Sequence, residues 1–385
     1  MQVLVLSSSP AHRKTITRVD GLRALGAAVV VAGYERENFV DSAAVTYEYV
    51  SLGFAKNRDF TGRIAASPAY LKRALDAARQ LPACDVIWAN SLDMLVLGLA
   101  VRARLKTKPK IVYDVADLSP RQLSNKPIGA LVRNAERFLC RNVDALILTS
   151  PWFYWAYYVN IVPAKTQVML LENKISPPAP IPAPSTPAPP WRIVWHGLLR
   201  CYQSMAIAQA LCKALPGTID FHAWGYTDDE RIASFYEADE RLPNFHYHGA
   251  YSDTNIAPVF EGAHFLFAFD LDDGANSRLL LPNRLYHSAA RMLPMVAARE
   301  AAVGRTAEAL KLGTAFAAPY AQDMIAFFAT LTMEKYQAMR EAIAPRLRSA
   351  AVYGDDFARI VDDIQSGARD HCLPRTEDFS VVLAR

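Results

Sequence analysis

Residues 175–191 read ISPPAPIPAPSTPAPPW. Eight prolines lie between Pro177 and Pro190. Each fixes φ and removes a backbone donor, so the stretch predicts a stiff, extended connector. It is the clearest domain boundary in the chain. Upstream, short apolar runs alternate with helical patterns. The runs are VLVL, AAVVVAG, CDVIWA, PKIVYDV, DALILTS and TQVMLL. The helical patterns cover Arg18–Leu25, Ala69–Leu81, Asp93–Leu105 and Ile128–Cys140. Downstream the alternation restarts with RIVWHG, IDFHAWG, NFHYHGA, HFLFAF, PMVAA and TAFAA. Helices are expected between them over Met205–Leu215, Asp228–Ala238, Asn255–Glu261, Asn283–Met292 and Ala301–Leu310, then near Met333–Leu347 and Asp355–Ile364. Such alternation predicts an α/β protein with parallel sheets covered on both faces. The expected layout is two Rossmann-like domains, 1–175 and 192–365, joined by a 176–191 linker and followed by a polar tail, 366–385. Two such sheets facing each other would make a deep cleft at the carboxyl ends of their strands.

The 385 residues, 52% of them hydrophobic, suffice for two cores. A net charge of +4 and a pI near 8.7 suit anionic small molecules or an anionic membrane surface, and are too weak to argue for nucleic acid. Five scattered cysteines with no CxxC pair suggest neither a disulfide framework nor a zinc site, and fit a reduced cytoplasm. The opening MQVLVLSSS lacks the marks of a signal peptide, and no window approaches the ~18 apolar residues of a membrane span.

The chemistry concentrates in LLLPNRLYHSAARMLPMVA, residues 279–297. Pro282 presets a first helical turn, whose N–H groups can hold phosphate oxygens. Arg284, His287 and Arg291 share one face at i, i+3 and i+7. A helix dipole disfavours an arginine in the first turn, unless something strongly negative sits there. Arg284 has the bidentate fork that phosphate recognition uses; a surface ion pair is the plainer alternative. In WHGLLR, Gly197 ends the first strand of the second half and Arg200 opens its first helix, the phosphate position of a dinucleotide-type fold, although GxGxxG is absent.

These residues resemble the donor domain of GT-B glycosyltransferases, enzymes that use nucleotide-activated sugars. Many retaining members carry a stretch like P-x-K-x-x-E-(x)6-P-V-V, in which the Lys meets the diphosphate and the Glu the ribose. Pro282, Arg284, His287, Pro294 and Met295 stand at the matching places. The retaining signature would need Glu at positions 279 and 287, where the chain has Leu279 and His287, and Met292 replaces a usual glycine. The departures resemble the inverting bacterial glucuronosyltransferases of xanthan-type polysaccharide assembly. Their general base is an Asp in a loop like VYDVADLS, which matches Asp117, and their first loop is similar to LSSSPAHRK. The resemblance implies that the first half binds acceptor and the second binds donor. Asp117 would deprotonate the acceptor hydroxyl, with Asp114 and His12 as reserves; a turn aspartate is the alternative. Donor contacts would come from Gly197, Arg200, Asn283, Arg284 and His287, and from Asp273, Asn276 and Arg278 in the loop after FLFAFDLDDG. That loop also resembles the metal-binding DxD of GT-A enzymes, but it falls too late in the second half for that role. No metal and no cofactor is expected, the nucleotide-sugar being a substrate.

The SPWFYWAYY cluster, with Trp152 and Trp155, and the basic KPIGALVRNAERFLCR stretch, with Arg133 and Arg137, suggest contact with anionic lipid. Core aromatics plus a solvated basic face explain the same residues. The expected activity is transfer of a sugar from a nucleotide diphosphate donor to a glycan or lipid-linked glycan, in bacterial exopolysaccharide or cell-surface polysaccharide synthesis. The expected location is cytoplasmic, on the inner face of the membrane. A non-hydrolysing sugar-nucleotide epimerase and a catalytically silent binding relative share the fold.

Overall fold

Strands buried on both faces read as unbroken apolar runs, and the chain folds on that rule. The computed structural model describes residues 1–35, 45–55, 67–175, 188–227, 242–252, 255–271, 274–346 and 350–383. Most of the proline connector, the helix expected over Asp228–Ala238, and Asp273 lie outside the described residues. The chain divides into two compact units, Met1–Glu172 with Asp355–Arg375, and Asn173–Gly354 with Thr376–Arg385.

Seven strands build the first unit: β1 (Gln2–Ser7), β2 (Ala28–Glu35), β3 (Val50–Phe54), β4 (Val86–Ala89), β5 (Lys110–Val115), β6 (Ala145–Leu148) and β7 (Gln167–Leu170). They form one parallel sheet in the order β3-β2-β1-β4-β5-β6-β7. Every residue of β4 and β6 is buried. The sequence reading missed β3, because VSLGF carries a glycine and is only half-buried. The second unit holds β8 (Trp191–Leu198), β9 (Ile219–Tyr226), β10 (Phe245–Tyr247), β11 (Phe265–Ala268), β12 (Met295–Ala298) and β13 (Gly313–Phe316), also all parallel, in the order β10-β9-β8-β11-β12-β13. Each sheet reverses its strand order at one point, β1/β4 in the first and β8/β11 in the second. Open α/β sheets bind ligands at such points.

The helix Asp356–Ser366, read from sequence as part of the second domain, packs in the first unit. Lys110 Nζ donates to the Gln365 carbonyl at 3.2 Å, and Gln167 Nε2 to the Asp363 carbonyl at 2.8 Å. Phe357 covers Gly21, where an added Cβ would lie 2.5 Å from its ring. The chain thus returns to its first sheet after completing the second. The tail is not wholly irregular, since Phe379–Leu383 is helical.

The aromatic cluster corrects one expectation. Trp152 is 2% exposed, and Phe153, Tyr154, Tyr157 and Tyr158 are buried with it. Trp155 is half-buried and donates Nε1–H to the Pro374 carbonyl at 3.1 Å. Burying such a ring is worth roughly 1.5–3 kcal/mol, so these rings serve the core and do not face lipid. Their companion is Glu136, fully buried on the helix Pro127–Cys140. Its carboxylate accepts from Tyr113 (3.0 Å), Tyr157 (2.6 Å), Tyr158 (2.9 Å) and Gln122 Nε2 (3.0 Å). Arg133 turns inward to the carbonyls of Gln122 and Ser124, at 2.9 and 2.7 Å. Arg137 remains exposed and donates to the Asn160 carbonyl at 3.1 Å.

Candidate donor and acceptor sites

At the β8/β11 switch point the chain leaves both strands toward helices. Gly197, near the end of β8, has φ +112°, a conformation that favours glycine, and an added Cβ would meet open space. Arg200 follows, then Cys201, whose sulfur caps the helix Tyr202–Ala214 by accepting from Ser204 N at 3.3 Å. The same sulfur accepts from Leu271 N at 3.2 Å, which ties the loop after β8 to the loop after β11. Arg200 Nη2 lies 3.5 Å from Asp270 Oδ2 and joins the same two loops.

The helix Asn283–Arg291 stands beside them. Pro282 is its N-cap and supplies no side-chain cap, and its first turn contains no acidic residue. Asn283 is exposed, whereas Arg284 is only 8% exposed. Burial pushes the Arg284 guanidinium below the usual arginine range; Asp270, Tyr251 and Cys201 oppose that shift, and Arg200 adds to it. Its Nη1 is buried and has no hydrogen-bond partner among the described residues. Leaving a buried donor unmade costs about 1–3 kcal/mol. The rest of the predicted face has another task. His287 stacks on Phe260 at 5.1 Å and meets His196 edge-on at 5.2 Å. The Arg291 guanidinium sits 4.0 Å above the Phe260 ring. His196 Nδ1 pairs with the Tyr251 hydroxyl at 3.0 Å. His287 is buried, 3% exposed, between the rings of Phe260 and His196. Met292, in place of the family's glycine, takes the left-handed C-cap conformation, φ 51°.

Gly274, Asn276 and Arg278 follow the β11 loop. Gly274–Leu279 is a short helix, Asn276 is half-buried on it, and Arg278 is exposed. Asp270, Tyr251, His196 and Cys201 escaped the sequence reading. Only Asp270 left a trace, as the first acidic residue after the FLFAF run.

In the first unit, the β1/β4 switch point is closed by Asn90. It accepts from Ser8 N at 3.1 Å and donates to Ser7 Oγ and Thr15 Oγ1, each at 2.9 Å. His12 is exposed and caps the helix Arg13–Ala24, its Nδ1 accepting from Lys14 N at 3.3 Å. That cap starts the helix five residues before the apolar periodicity suggested.

Asp114 is removed from the list of bases. It is fully buried, 2.7 Å from Lys14 Nζ and 3.0 Å from Arg18 Nε, and accepts from Trp88 Nε1 at 2.9 Å. Burial alone would raise its pKa, but the two cations outweigh burial and hold it below the usual carboxylate range. A carboxylate so occupied is a poor proton acceptor. Asp117, three residues on and beyond the end of β5, is exposed and raises the pKa of Lys14 electrostatically.

Comparison with known proteins places this geometry. Residues 18–172 match the glycosyl transferase 4-like domain. The succinoglycan biosynthesis protein ExoL of Rhizobium meliloti is 31% identical over 306 residues, 74% of this chain and 73% of that protein. Sucrose-phosphate synthase from Thermosynechococcus elongatus superposes with a TM-score of 0.73 at 13% identity, over 95% of this chain and 98% of its own. Anabaena HepE, solved with UDP and glucose, gives 0.71 at 15% identity, over 95% of this chain and all of its own. The solved structures share the GT-B fold; the ExoL relative carries the family. The chain is a glycosyltransferase of the ExoL family, with a glycosyl transferase 4-like domain over residues 18–172.

Proposed function

We propose that this glycosyltransferase takes its sugar from a nucleotide diphosphate donor held by the second unit. The acceptor is a glycan or lipid-linked glycan of an exopolysaccharide or other cell-surface polysaccharide. The observation that carries the donor reading is Arg284, a buried guanidinium whose Nη1 finds no partner among the described residues, on the first turn of a helix with no side-chain cap. Arg200, at the neighbouring loop, adds a second cation. These charges and the helix N-terminus would neutralise the leaving diphosphate, the task a metal ion performs in other transferases. Asn283, Asn276, Arg278 and Gly197 lie on the same run of loops and would contribute donor contacts.

The polysaccharide assignment is supported by the name of the ExoL relative, and the donor class by the UDP in the HepE structure. In the first unit, Asp117 would take the proton from the acceptor hydroxyl as its oxygen attacks the anomeric carbon. The C1–O bond to the diphosphate breaks in the same step, and the diphosphate leaves with its electron pair. No helix among the described residues is long and apolar enough to cross a membrane. A peripheral contact at the cytoplasmic face would use the exposed side of the helix Pro127–Cys140, where Ile128, Leu131 and Phe138 are 48%, 65% and 62% exposed. The transferase reading is preferred to an epimerase or a silent relative because residues 18–172 match a glycosyl transferase domain and the ExoL relative is a succinoglycan biosynthesis protein.

The test is titration of Arg284→Ala with nucleoside diphosphates by calorimetry. A charged hydrogen bond is worth about 1.5–3 kcal/mol, so the dissociation constant should rise by about 10- to 100-fold. An unchanged constant would remove Arg284 from the donor site.

A further inference from the structure

Strand β9 alternates inward and outward: Ile219, Phe221 and Ala223 are buried, and Asp220, His222 and Trp224 lie on the opposite, half-buried face. Strand β10 runs parallel to it with His246 in register with His222, so both imidazoles stand on that face. His248 follows two residues later. The His222 and His246 rings are 4.7 Å apart, and the His222 and His248 rings 5.0 Å. Asp220 lies between the first two. Its Oδ2 is 2.8 Å from His222 Nε2, and its Oδ1 is 2.7 Å from His246 Nε2. One ligand atom from each of the three residues falls within 4.8 Å of the other two.

We propose that Asp220, His222 and His246 bind a divalent transition-metal ion of the Zn2+ class. The donor set is two imidazoles and one carboxylate, which suits Zn2+ and disfavours Mg2+ and Ca2+, whose ligands are oxygens. Ligand atoms around tetrahedral zinc stand roughly 3.3 Å apart, given bond lengths near 2.0–2.1 Å. The two carboxylate–imidazole contacts, at 2.8 and 2.7 Å, would lengthen by about half an ångström to reach that spacing, and the two imidazole nitrogens already lie within 4.8 Å of each other. An ion between them would replace the two protons the carboxylate now shares with its neighbours.

The surroundings orient these ligands. His222 Nδ1 is 2.8 Å from His248 Nε2. With His222 Nε2 on the metal, its Nδ1–H donates to His248, the kind of outer contact that fixes tautomer and ring angle. His248 is itself held by Trp224, stacked at 4.1 Å and 12°. Arg192 is a nearby cation, its Nη2 3.5 Å from Asp220 Oδ2. Its Nη1 also donates to the Glu261 carbonyl at 3.0 Å, so the side chain keeps an anchor when the carboxylate turns to a metal. Asp220, His222 and His248 line a pocket of about 690 Å3 with Pro190 and Pro258, which gives the ion and a completing water a way in.

The site's effect follows from the topology. Strand β10 is three residues long and ends the sheet. A metal shared between β9 and β10 would staple that edge strand to its neighbour. The cluster occupies the β9/β10 side of the sheet, away from the β8/β11 switch point, so the inference stands independently of the donor assignment.

The experiment uses untagged, full-length protein stripped with chelator, dialysed, and titrated with ZnCl2 by calorimetry. A parallel sample is titrated with Co2+ and read by visible absorption. One equivalent of Zn2+ should bind saturably, Co2+ should develop the visible bands of a four-coordinate site, and Mg2+ should not compete. His222→Ala should abolish both signals, and His248→Ala should weaken affinity by about tenfold. Absence of saturable Zn2+ binding overturns the proposal. So does stoichiometric binding that survives in His222→Ala, because the ion then sits elsewhere. If His222→Ala does not fold, His246→Gln at the more exposed position gives the same discrimination.

Discussion

Arg200 Nη2 stands 3.5 Å from Asp270 Oδ2 across the switch point of the second sheet, and Asp270 is also the strongest opposing charge to the buried Arg284. One carboxylate thus balances two cations. A diphosphate entering here would meet that carboxylate as a competitor. Asp270→Asn should therefore act in two directions. Without ligand, Arg284 loses the nearby carboxylate that opposes the cost of its burial, so the folded state is destabilised. With ligand, the site binds a nucleoside diphosphate more tightly. Thermal melts should show a lower Tm for the unliganded variant and a larger ligand-induced rise than in the wild type. A variant with a smaller rise than wild type would mean that Asp270 helps bind the donor.

The cluster around Asp114 sets an acid limit on stability. Lys14 and Arg18 hold this carboxylate below its ordinary value against the cost of burial. A group with a depressed folded pKa gives stability that is full above its unfolded pKa of about 3.9 and fades as pH falls through the folded value. Urea unfolding of the wild type should lose free energy below about pH 4. Asp114→Asn should lose about 3–5 kcal/mol at neutral pH, because it removes the carboxylate that balances the buried Lys14 and Arg18. Its profile should also be flatter on the acid side. An acid limb of equal steepness would assign the effect to other carboxylates.

Glu136 offers a packing test. Three tyrosine hydroxyls and Gln122 converge on it, with no cation among its hydrogen-bond partners. Tyr158→Phe removes one donor and should cost about 1 kcal/mol. Glu136→Ala strands several donors at once and should cost at least about 3 kcal/mol. Chemical denaturation of both variants measures the difference. Equal, small losses would show that water replaces the carboxylate without penalty.

The same cluster shows where sequence reading stopped. Most strands and the two-sheet plan followed from apolar runs of about 4–8 residues, a local signal, whereas the strand order did not. The Asn283–Arg291 helix was legible because Pro282 and Arg284 are neighbours in the chain. The role of SPWFYWAYY was not, because Tyr158 meets a carboxylate 22 residues upstream. Asp270 and Arg200 are 70 residues apart, and no periodicity connects them. The helix Asp356–Ser366 was found from its pattern, but its return to the first unit depends on Gly21 accepting the Phe357 ring, a contact no spacing encodes.

The exposed side of Pro127–Cys140 replaces the aromatic cluster as the lipid candidate. Ile128, Leu131, Ala135 and Phe138 recur at i, i+3, i+7 and i+10, all exposed, with Lys126, Arg137 and Arg141 beside them. The Arg141 guanidinium lies 5.7 Å over the Phe138 ring. Apolar rings amid cations suit an anionic bilayer surface. Leu131→Glu with Phe138→Glu should leave Tm unchanged and lower co-sedimentation with phosphatidylglycerol vesicles about tenfold or more, given roughly 1.5–3 kcal/mol per inserted side chain. Vesicle binding unaffected by the pair would end the assignment.

Asp117 is the base we propose for the transfer step. It is exposed beyond β5, whereas Asp114 on the same strand end is consumed by Lys14 and Arg18. That contrast leaves Asp117 as the exposed carboxylate of the loop. Asp117→Asn keeps the volume and removes the proton acceptor. General-base catalysis typically contributes about 10²- to 10⁴-fold, so kcat should fall within that range. Donor affinity should stay unchanged, since the diphosphate contacts belong to the other unit. Raising the pH should not restore the variant, because an amide has no proton to lose. Transfer within a few-fold of wild type would dismiss Asp117 and direct attention to His12, an exposed titratable group of the loop after β1.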